Sequence, residues 1–245
     1  MEDNDAALQE FPEVEEIVPQ KTYLTSSRLI FRFVSDFLIA ILIGVVFFLP
    51  LYFLVRETEY ELLFGAFFTQ IGLLIVCLFR MRRFRKIQQP LLPMFEGPML
   101  PALRWGLIGG IVFFVLNVLH GIMMDQIVGI DVAEKNPWMS IEDFSTAPLI
   151  ATLLVGGIMA PFVEEIFLRG VMFGAFAALG HKTTGIVFTV LLFIFLHLDP
   201  INTLAYAMLG LGFLWVYIRT RNLASAILAH ILNNSLGFFF ILWPI

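Results

Sequence analysis

The chain of 245 residues is 59% apolar and 14% charged, with a mean hydropathy of +0.89. A soluble domain of this size cannot bury so much apolar surface, so the composition excludes an ordinary soluble enzyme or binding module. The formal net charge of −5 is concentrated at the start, since residues 1–20 hold seven acids and no Lys or Arg. We therefore predict an acidic, disordered tail at 1–27, ahead of a single membrane domain at 28–245.

The apolar residues fall into runs long enough to cross a bilayer as helices, which takes about 20 residues for a core of about 30 Å. The runs do not alternate apolar and polar residues, as the strands of an outer-membrane barrel would. The fold class is thus an all-α polytopic membrane helix bundle of about seven (six to eight) transmembrane helices. In chain order the predicted spans are 29–55, 62–79, 103–124, 148–178, 184–198, 203–219 and 223–244.

The first two spans contain a few polar residues, which we assign to helix packing and to an ion pair. Arg32 and Asp36 lie four positions apart, which predicts an ion pair on one face of the first helix. Gln70 is of the kind that forms hydrogen bonds between membrane helices, so we assign it to packing rather than to a site. Cys77 is the single cysteine of the sequence, which excludes an internal disulfide and a cysteine-based metal centre.

A basic stretch follows the second span and sets the expected orientation. It is followed by prolines and is therefore predicted to be an irregular loop: Arg80, Arg82, Arg83, Arg85 and Lys86, then Pro90, Pro93 and Pro98. Lys and Arg are retained on the cytoplasmic side, and eleven of them fall in one set of breaks against two in the other. We expect a multi-pass cell-membrane protein with its N-terminus in the cytoplasm.

The fourth span is unusually long, and glycines in the third and fourth spans predict close packing. The fourth has 31 positions, which at 1.5 Å each exceeds about 45 Å and is too long for an upright span. It is expected to tilt, kink or divide, and Gly156, Gly157 and Pro161 supply the break. Glycines four positions apart predict close packing of helices in two places, at Gly106 with Gly110 and at Gly170 with Gly174.

Two adjacent carboxylates lie within the fourth span, where each is costly and points to function. Glu165 and Arg169 are one helical turn apart, with the acid first, so we predict that they pair. Glu164 lies about 100° away around the helix and has no such local partner. It is therefore the carboxylate available for chemistry.

Histidines in two later spans complete the candidate site. His197 ends a short apolar span just before Asp199 and Pro200, and His230 lies one turn before Asn234 in the last span. Counted from the inner ends of their helices, Glu164, His197 and Asn234 are roughly 18–21 Å deep. Three helices thus present polar groups at a similar level, which a shared cavity requires.

In chain order these residues form the motifs Glu-Glu-x-x-x-Arg, Phe-x-x-x-His and His-x-x-x-Asn, with Phe193 opening the second. This arrangement resembles the signature of the CPBP family of intramembrane proteases, named for CAAX prenyl protease type II and bacteriocin processing and also called Abi. The resemblance covers about 160–235, and the first half of the chain carries no matching motif. The catalytic half of the membrane domain is accordingly predicted at about 148–245.

The resemblance implies an endopeptidase that hydrolyses a peptide bond of a membrane-associated substrate, such as a prenylated CAAX protein or a leader peptide. Glu164 would activate the attacking water with help from His197, while His230 and Asn234 would stabilise the oxyanion. Glu165 and Arg169 would orient the site. Zinc or another divalent metal on Glu164, His197 and His230 is the other option, so the metallo- and glutamate-type mechanisms both stay open.

Two other classes of function compete with this interpretation. A proton-coupled transporter also uses buried Glu and His, although the sequence shows no internal repeat of the kind common in transporters. A non-catalytic bacteriocin-immunity or binding protein could share the fold, although the motifs are intact. The expected partners are the lipid bilayer and a membrane-associated peptide or protein substrate, without nucleic acid, and the sequence leaves the oligomeric state open.

Overall fold

The computed structural model of the protein describes residues 25–56, 58, 60–86, 91–130 and 150–242. The predicted disordered tail lies outside these residues as far as position 24. The acidic segment between the third and fourth spans lies mostly outside them as well.

Seven helices make up the described chain, and each predicted span corresponds to one of them. They are α1 (Ser26–Val55), α2 (Tyr60–Lys86), α3 (Met99–Met123), α4 (Ile150–Ala178), α5 (Lys182–His197), α6 (Thr203–Thr220) and α7 (Ala224–Leu242). Five of them have the length and hydropathy of membrane spans, whereas α5 and α7 are shorter apolar helices. No strand occurs among the described residues. The prediction of an all-α polytopic membrane bundle is confirmed.

Helices α1 and α2 form a closely packed pair. A Cβ added at Gly72 would lie 2.1 Å from the carbonyl oxygen of Ala40, so only glycine allows this approach. A buried ion pair joins the same two helices, because Arg80 donates to both carboxylate oxygens of Asp36, with Nε at 2.7 Å from Oδ2. The predicted pair of Arg32 with Asp36 is therefore wrong, since the partner of Asp36 comes from α2.

The basic stretch at 80–86 is helical, which corrects the prediction of an irregular loop there. It forms the last turns of α2, and the non-helical part among the described residues is 91–98. Backbone hydrogen bonds hold this segment against the turn between α6 and α7. The amides of Glu96 and Gly97 donate to the carbonyl of Arg221 at 3.1 and 2.9 Å, and the amide of Leu223 donates to the carbonyl of Met94 at 2.7 Å.

The two glycine pairs that were predicted to bring helices together make different contacts. Gly106 and Gly110 bring α3 against α7, since a Cβ there would lie 2.8 Å from the carbonyl oxygen of Ser225 and 2.7 Å from the Cβ of Leu232. This confirms close helix packing. At Gly170 the added Cβ would instead meet the Met94 side chain at 2.8 Å. Gly170 therefore makes room for the segment 91–98 rather than for another helix.

Helix α4 crosses the bundle without dividing, although its backbone departs from α geometry twice. Residues Leu153–Met159 and Ile166–Phe173 are π-helical, and Ala160–Glu165 between them is α-helical. The first π stretch contains Gly156 and Gly157 and ends just before Pro161, where the predicted break lies. Proline lacks an amide hydrogen and its ring conflicts with the carbonyl four residues earlier, so a wider helix at this point relieves both problems.

Candidate active site

The two adjacent glutamates of α4 face different neighbours. Both lie on the last turn of the α-helical stretch Ala160–Glu165, just before the second π stretch. Glu165 is fully buried, whereas Glu164 is half-buried. Successive helical residues diverge by about 100°, so one carboxylate enters the bundle and the other remains accessible.

Glu165 is the centre of a buried polar cluster that joins three helices. Its Oε1 accepts a hydrogen bond from Arg169 Nη1 at 2.8 Å and another from His230 Nδ1 at 2.9 Å. The Nη2 atom of Arg169 donates to the carbonyl of Gly210 in α6 at 2.9 Å. The predicted pair of Glu165 with Arg169 is confirmed, and His230 of α7 is drawn into it.

Aromatic rings surround this cluster. The guanidinium carbon of Arg169 lies 5.0 Å from the ring centre of Phe193 and 5.8 Å from that of Phe213. The His230 ring stacks on Phe213, with 4.4 Å between centroids and 19° between planes. Cation–π contacts of this kind are strongest where water is absent. The rings thus offset part of the cost of holding Arg169 in an apolar bundle.

The hydrogen bonds of the two histidines fix which ring nitrogen carries a proton. His197 Nδ1 lies 2.7 Å from the carbonyl oxygen of Phe193, and a carbonyl can only accept. His230 Nδ1 lies 2.9 Å from Glu165 Oε1, which also accepts from Arg169, so Nδ1 is the donor here too. Both histidines therefore carry hydrogen on Nδ1. Their Nε2 atoms are left for chemistry.

Glu164 is held by a residue that the sequence assigned to packing. Gln70 of α2 donates from Nε2 to Glu164 Oε1 at 3.1 Å. The assignment of Gln70 to an interhelical hydrogen bond is confirmed, but its partner is the candidate catalytic carboxylate. The signal in the sequence was a lone amide in an apolar span, which cannot identify its partner on another helix.

His197 lies at the end of α5, beside Tyr206 of α6. The two rings are stacked, with 4.0 Å between centroids and 26° between planes. Tyr206 also makes a side-chain hydrogen bond to Asp199, and both Glu164 and His230 interact electrostatically with His197. Three helices therefore bring Glu164, His197 and His230 into one neighbourhood. Tyr206 is a residue of this site that no sequence motif indicated.

Asn234 lies on the same helix as His230 but makes separate contacts. Its Nδ2 donates to the carbonyl of Gly156 at 3.2 Å, within the first π stretch of α4, and its Oδ1 accepts from Asn233 at 3.1 Å. One amide hydrogen of Asn234 is used in this way. The other remains as a donor for a ligand.

The predicted metal ligands do not form a compact set. Across the described ranges, no three His, Cys, Asp or Glu side chains are arranged to hold a metal ion. Both Nδ1 atoms are directed at protein acceptors, so a metal would have to bind Nε2 of His197 and of His230. As they stand in this structure, the described side chains of Glu164, His197 and His230 do not form a set that could hold a metal ion.

Comparison with known proteins supports a membrane protease at the level of the family. Residues 146–236 match the family described as type II CAAX prenyl endopeptidase Rce1-like. A relative from Bacillus subtilis (strain 168), named "Putative membrane peptidase YdiL", is 27% identical over 138 residues, which are 55% of this chain and 54% of the relative. The chain thus spans about half the length of this curated relative. No solved structure matches the chain.

The two matches confirm the resemblance carried by the three motifs, all of which lie within the matched region.

We expect Arg169→Met to destabilise the protein strongly, because it leaves the Glu165 carboxylate buried with one partner fewer. Removing one member of a buried ion pair costs about 3–5 kcal/mol, or on the order of 10 °C in Tm for a chain of this size. The measurement is thermal unfolding in detergent.

The matched control is Glu96→Gln, which breaks the exposed pair of Glu96 with Arg221 at 2.6 Å. Exposed ion pairs contribute about 0–1 kcal/mol, so this variant should melt close to the wild type. Equal melting temperatures for the two variants would contradict the assignment of Arg169 as the stabilising partner.

Proposed function

From the type II CAAX prenyl endopeptidase match over residues 146–236, we propose that this protein is an intramembrane endopeptidase. It hydrolyses a peptide bond of a membrane-associated substrate, of the prenylated CAAX or leader-peptide class, with a water activated by Glu164. The observation that carries the proposal is the position of Glu164. It is a half-buried carboxylate that interacts electrostatically with His197, and its neighbour Glu165 belongs to a fully buried polar cluster.

The chemistry begins with a water held between Glu164 and His197. Glu164 accepts a proton from the water, and the resulting hydroxide adds to the peptide carbonyl carbon while the carbonyl π electrons move to oxygen. Oε1 of Glu164 accepts from Gln70, so Oε2 is the atom that takes the proton. The proton then passes to the departing amine nitrogen as the carbon–nitrogen bond breaks.

The oxyanion needs hydrogen-bond donors aimed at the developing charge. The second amide hydrogen of Asn234 is one such donor. His230 supplies another from Nε2 when the ring is doubly protonated, because Nδ1 already donates to Glu165. In this mechanism Glu165 and Arg169 are positioning residues that hold the His230 ring.

We place the N-terminus in the cytoplasm, because the clustered Lys and Arg residues then lie inside. Labelling with a membrane-impermeant maleimide tests this in intact cells, in a Cys77→Ala background. A Thr58→Cys variant at the α1–α2 connection should be labelled, and Arg82→Cys at the other end of α2 should not. The opposite pattern would reverse the orientation.

We expect Glu164→Gln and His197→Gln each to lower peptide cleavage by about 10²–10⁴-fold, the usual contribution of a general acid or base. The assay uses the purified protein in detergent with a panel of prenylated and unprenylated peptides. Melting temperatures close to that of the wild type would show that the fold is intact.

Unchanged cleavage by Glu164→Gln would overturn the proposed mechanism. Loss of activity with chelator and its recovery with zinc would assign the site to a metal-dependent mechanism instead. Proton-coupled uptake by reconstituted vesicles, absent in the same variants, would assign the polar groups to transport.

A further variant tests whether Gln70 positions Glu164. Gln70→Leu should lower kcat about ten-fold with KM unchanged, because the carboxylate loses the donor that fixes its orientation. Stability should not fall, since Gln70 Oε1 is a buried acceptor without a partner among the described residues. Thr69→Val is the control, because the side-chain hydrogen bond of Thr69 within the described ranges runs back to Gly65 of its own helix, at 2.8 Å. Equal kcat for the two variants would show that Gln70 does not position Glu164.

A further inference from the structure

A second polar site lies away from the candidate active site, at the start of α1 and the end of α2. Arg28, Arg32 and Arg80 line this site, and Arg83 is close enough to act on Arg32 through its charge. Among the described residues that line the site the acid is Asp36, and its carboxylate is paired with Arg80. The remaining guanidinium groups therefore leave an excess of positive charge in this part of the bundle.

Among the described residues, Arg32 has a guanidinium nitrogen without an acceptor, although Asp36 offsets part of its charge. It is half-buried, and its Nη1 atom is shielded from solvent and makes no hydrogen bond within the part of the chain that the structure describes. Arg80 and Arg83 both act on it with like charge. A shielded guanidinium without an acceptor is costly, so an anion placed against it would be stabilising.

A cavity of about 660 Å³ opens beside this guanidinium. Its polar lining includes Ser27, Arg28 and Arg32, and its apolar lining includes Phe31 and Ile39. These two apolar side chains are 76% and 49% exposed on the outside of the bundle. The cavity therefore opens toward the surface that faces lipid, with the arginines on one side and apolar groups on the other.

The position of the cavity along α1 agrees with the level at which lipid headgroups lie in a bilayer. Arg28 and Arg32 lie two and six residues after the first residue of α1, Ser26, which is roughly 3–9 Å along the helix axis. This is the region where the polar headgroups of a bilayer begin. Basic pockets between membrane helices are suited to anionic headgroups, and guanidinium groups bind phosphate oxygens in a bidentate manner.

We propose that this cavity binds the phosphate of an anionic membrane lipid, with Arg28 and Arg32 on the headgroup and the acyl chains passing Phe31 and Ile39. A lipid is favoured over free phosphate because the opening is bordered by lipid-facing apolar side chains rather than by polar ones. The lipid would bind where α1 packs on α2.

The test measures lipid binding to the purified full-length protein in neutral detergent by native mass spectrometry and thermal shift. Dioctanoyl phosphatidylglycerol should be retained and should raise Tm, whereas dioctanoyl phosphatidylcholine and inorganic phosphate should do neither. The double variant Arg28→Gln, Arg32→Gln should bind phosphatidylglycerol about thirty-fold more weakly, from about 1 kcal/mol per basic group.

The matched control removes the same number of positive charges, two, from the end of α2 that lies near the cavity. The double variant Arg82→Gln, Arg85→Gln changes two exposed arginines that do not line the cavity, so binding should fall less than about three-fold. Should Arg28→Gln, Arg32→Gln fold poorly, the variant Arg28→Lys, Arg32→Lys keeps the charge and should retain most of the binding.

Three results would overturn the proposal. Equal losses in the two glutamine variants would mean that binding is unspecific charge attraction. Tight binding of inorganic phosphate alone would assign the site to a free anion. Lipid binding that appears only after deletion of residues 1–20 would assign the cavity to the acidic segment of the chain itself.

Discussion

The bundle depends on one carboxylate oxygen. Glu165 Oε1 accepts from Arg169 and from His230, and Arg169 in turn donates to Gly210, so α4, α6 and α7 meet at a single buried ion pair. A charge left alone at this depth would cost several kcal/mol, because Glu165, Arg169 and His230 are all shielded from solvent. The three helices therefore cannot separate or slide without breaking this cluster, and the aromatic rings of Phe193 and Phe213 close it from the sides.

The two neighbouring glutamates of α4 face different partners, because successive residues of the α-helical stretch Ala160–Glu165 diverge by about 100°. Glu165 points inward to the cluster, while Glu164 points to Gln70 of α2. The π stretches on either side leave the short α-helical turn between them. The first also leaves the carbonyl of Gly156 as an acceptor for Asn234, so a backbone irregularity caused by Pro161 is used to fix α7. Glu165 thus supports the buried cluster, while the adjacent Glu164 supplies a carboxylate that remains accessible.

Local spacing predicted part of the site and failed where partners come from distant helices. Glu165 with Arg169 and Arg32 with Asp36 have the same four-residue spacing, but only the first pair forms. Asp36 instead pairs with Arg80, 44 residues away, because close packing of α1 on α2 at Gly72 brings the two together. The seven helices were predictable from their apolar runs, and five of them have the length that a bilayer requires. The contact of Gln70 with Glu164 and the stacking of Tyr206 on His197 were not, since they depend on how the helices are arranged.

Helix α5 has a further effect on the membrane around the protein. With 16 residues it is about 24 Å long, several ångströms less than a hydrocarbon core of about 30 Å. Its last residue is His197, and the turn that follows contains Asp199, whose carboxylate accepts hydrogen bonds from the amides of Ile201 and Asn202. We expect a polar turn at that depth to draw headgroups and water inward and so to thin the bilayer beside α5. Hydrophobic mismatch would then couple the thickness of the host membrane, and with it the length of its acyl chains, to the hydration of His197 at the end of the helix.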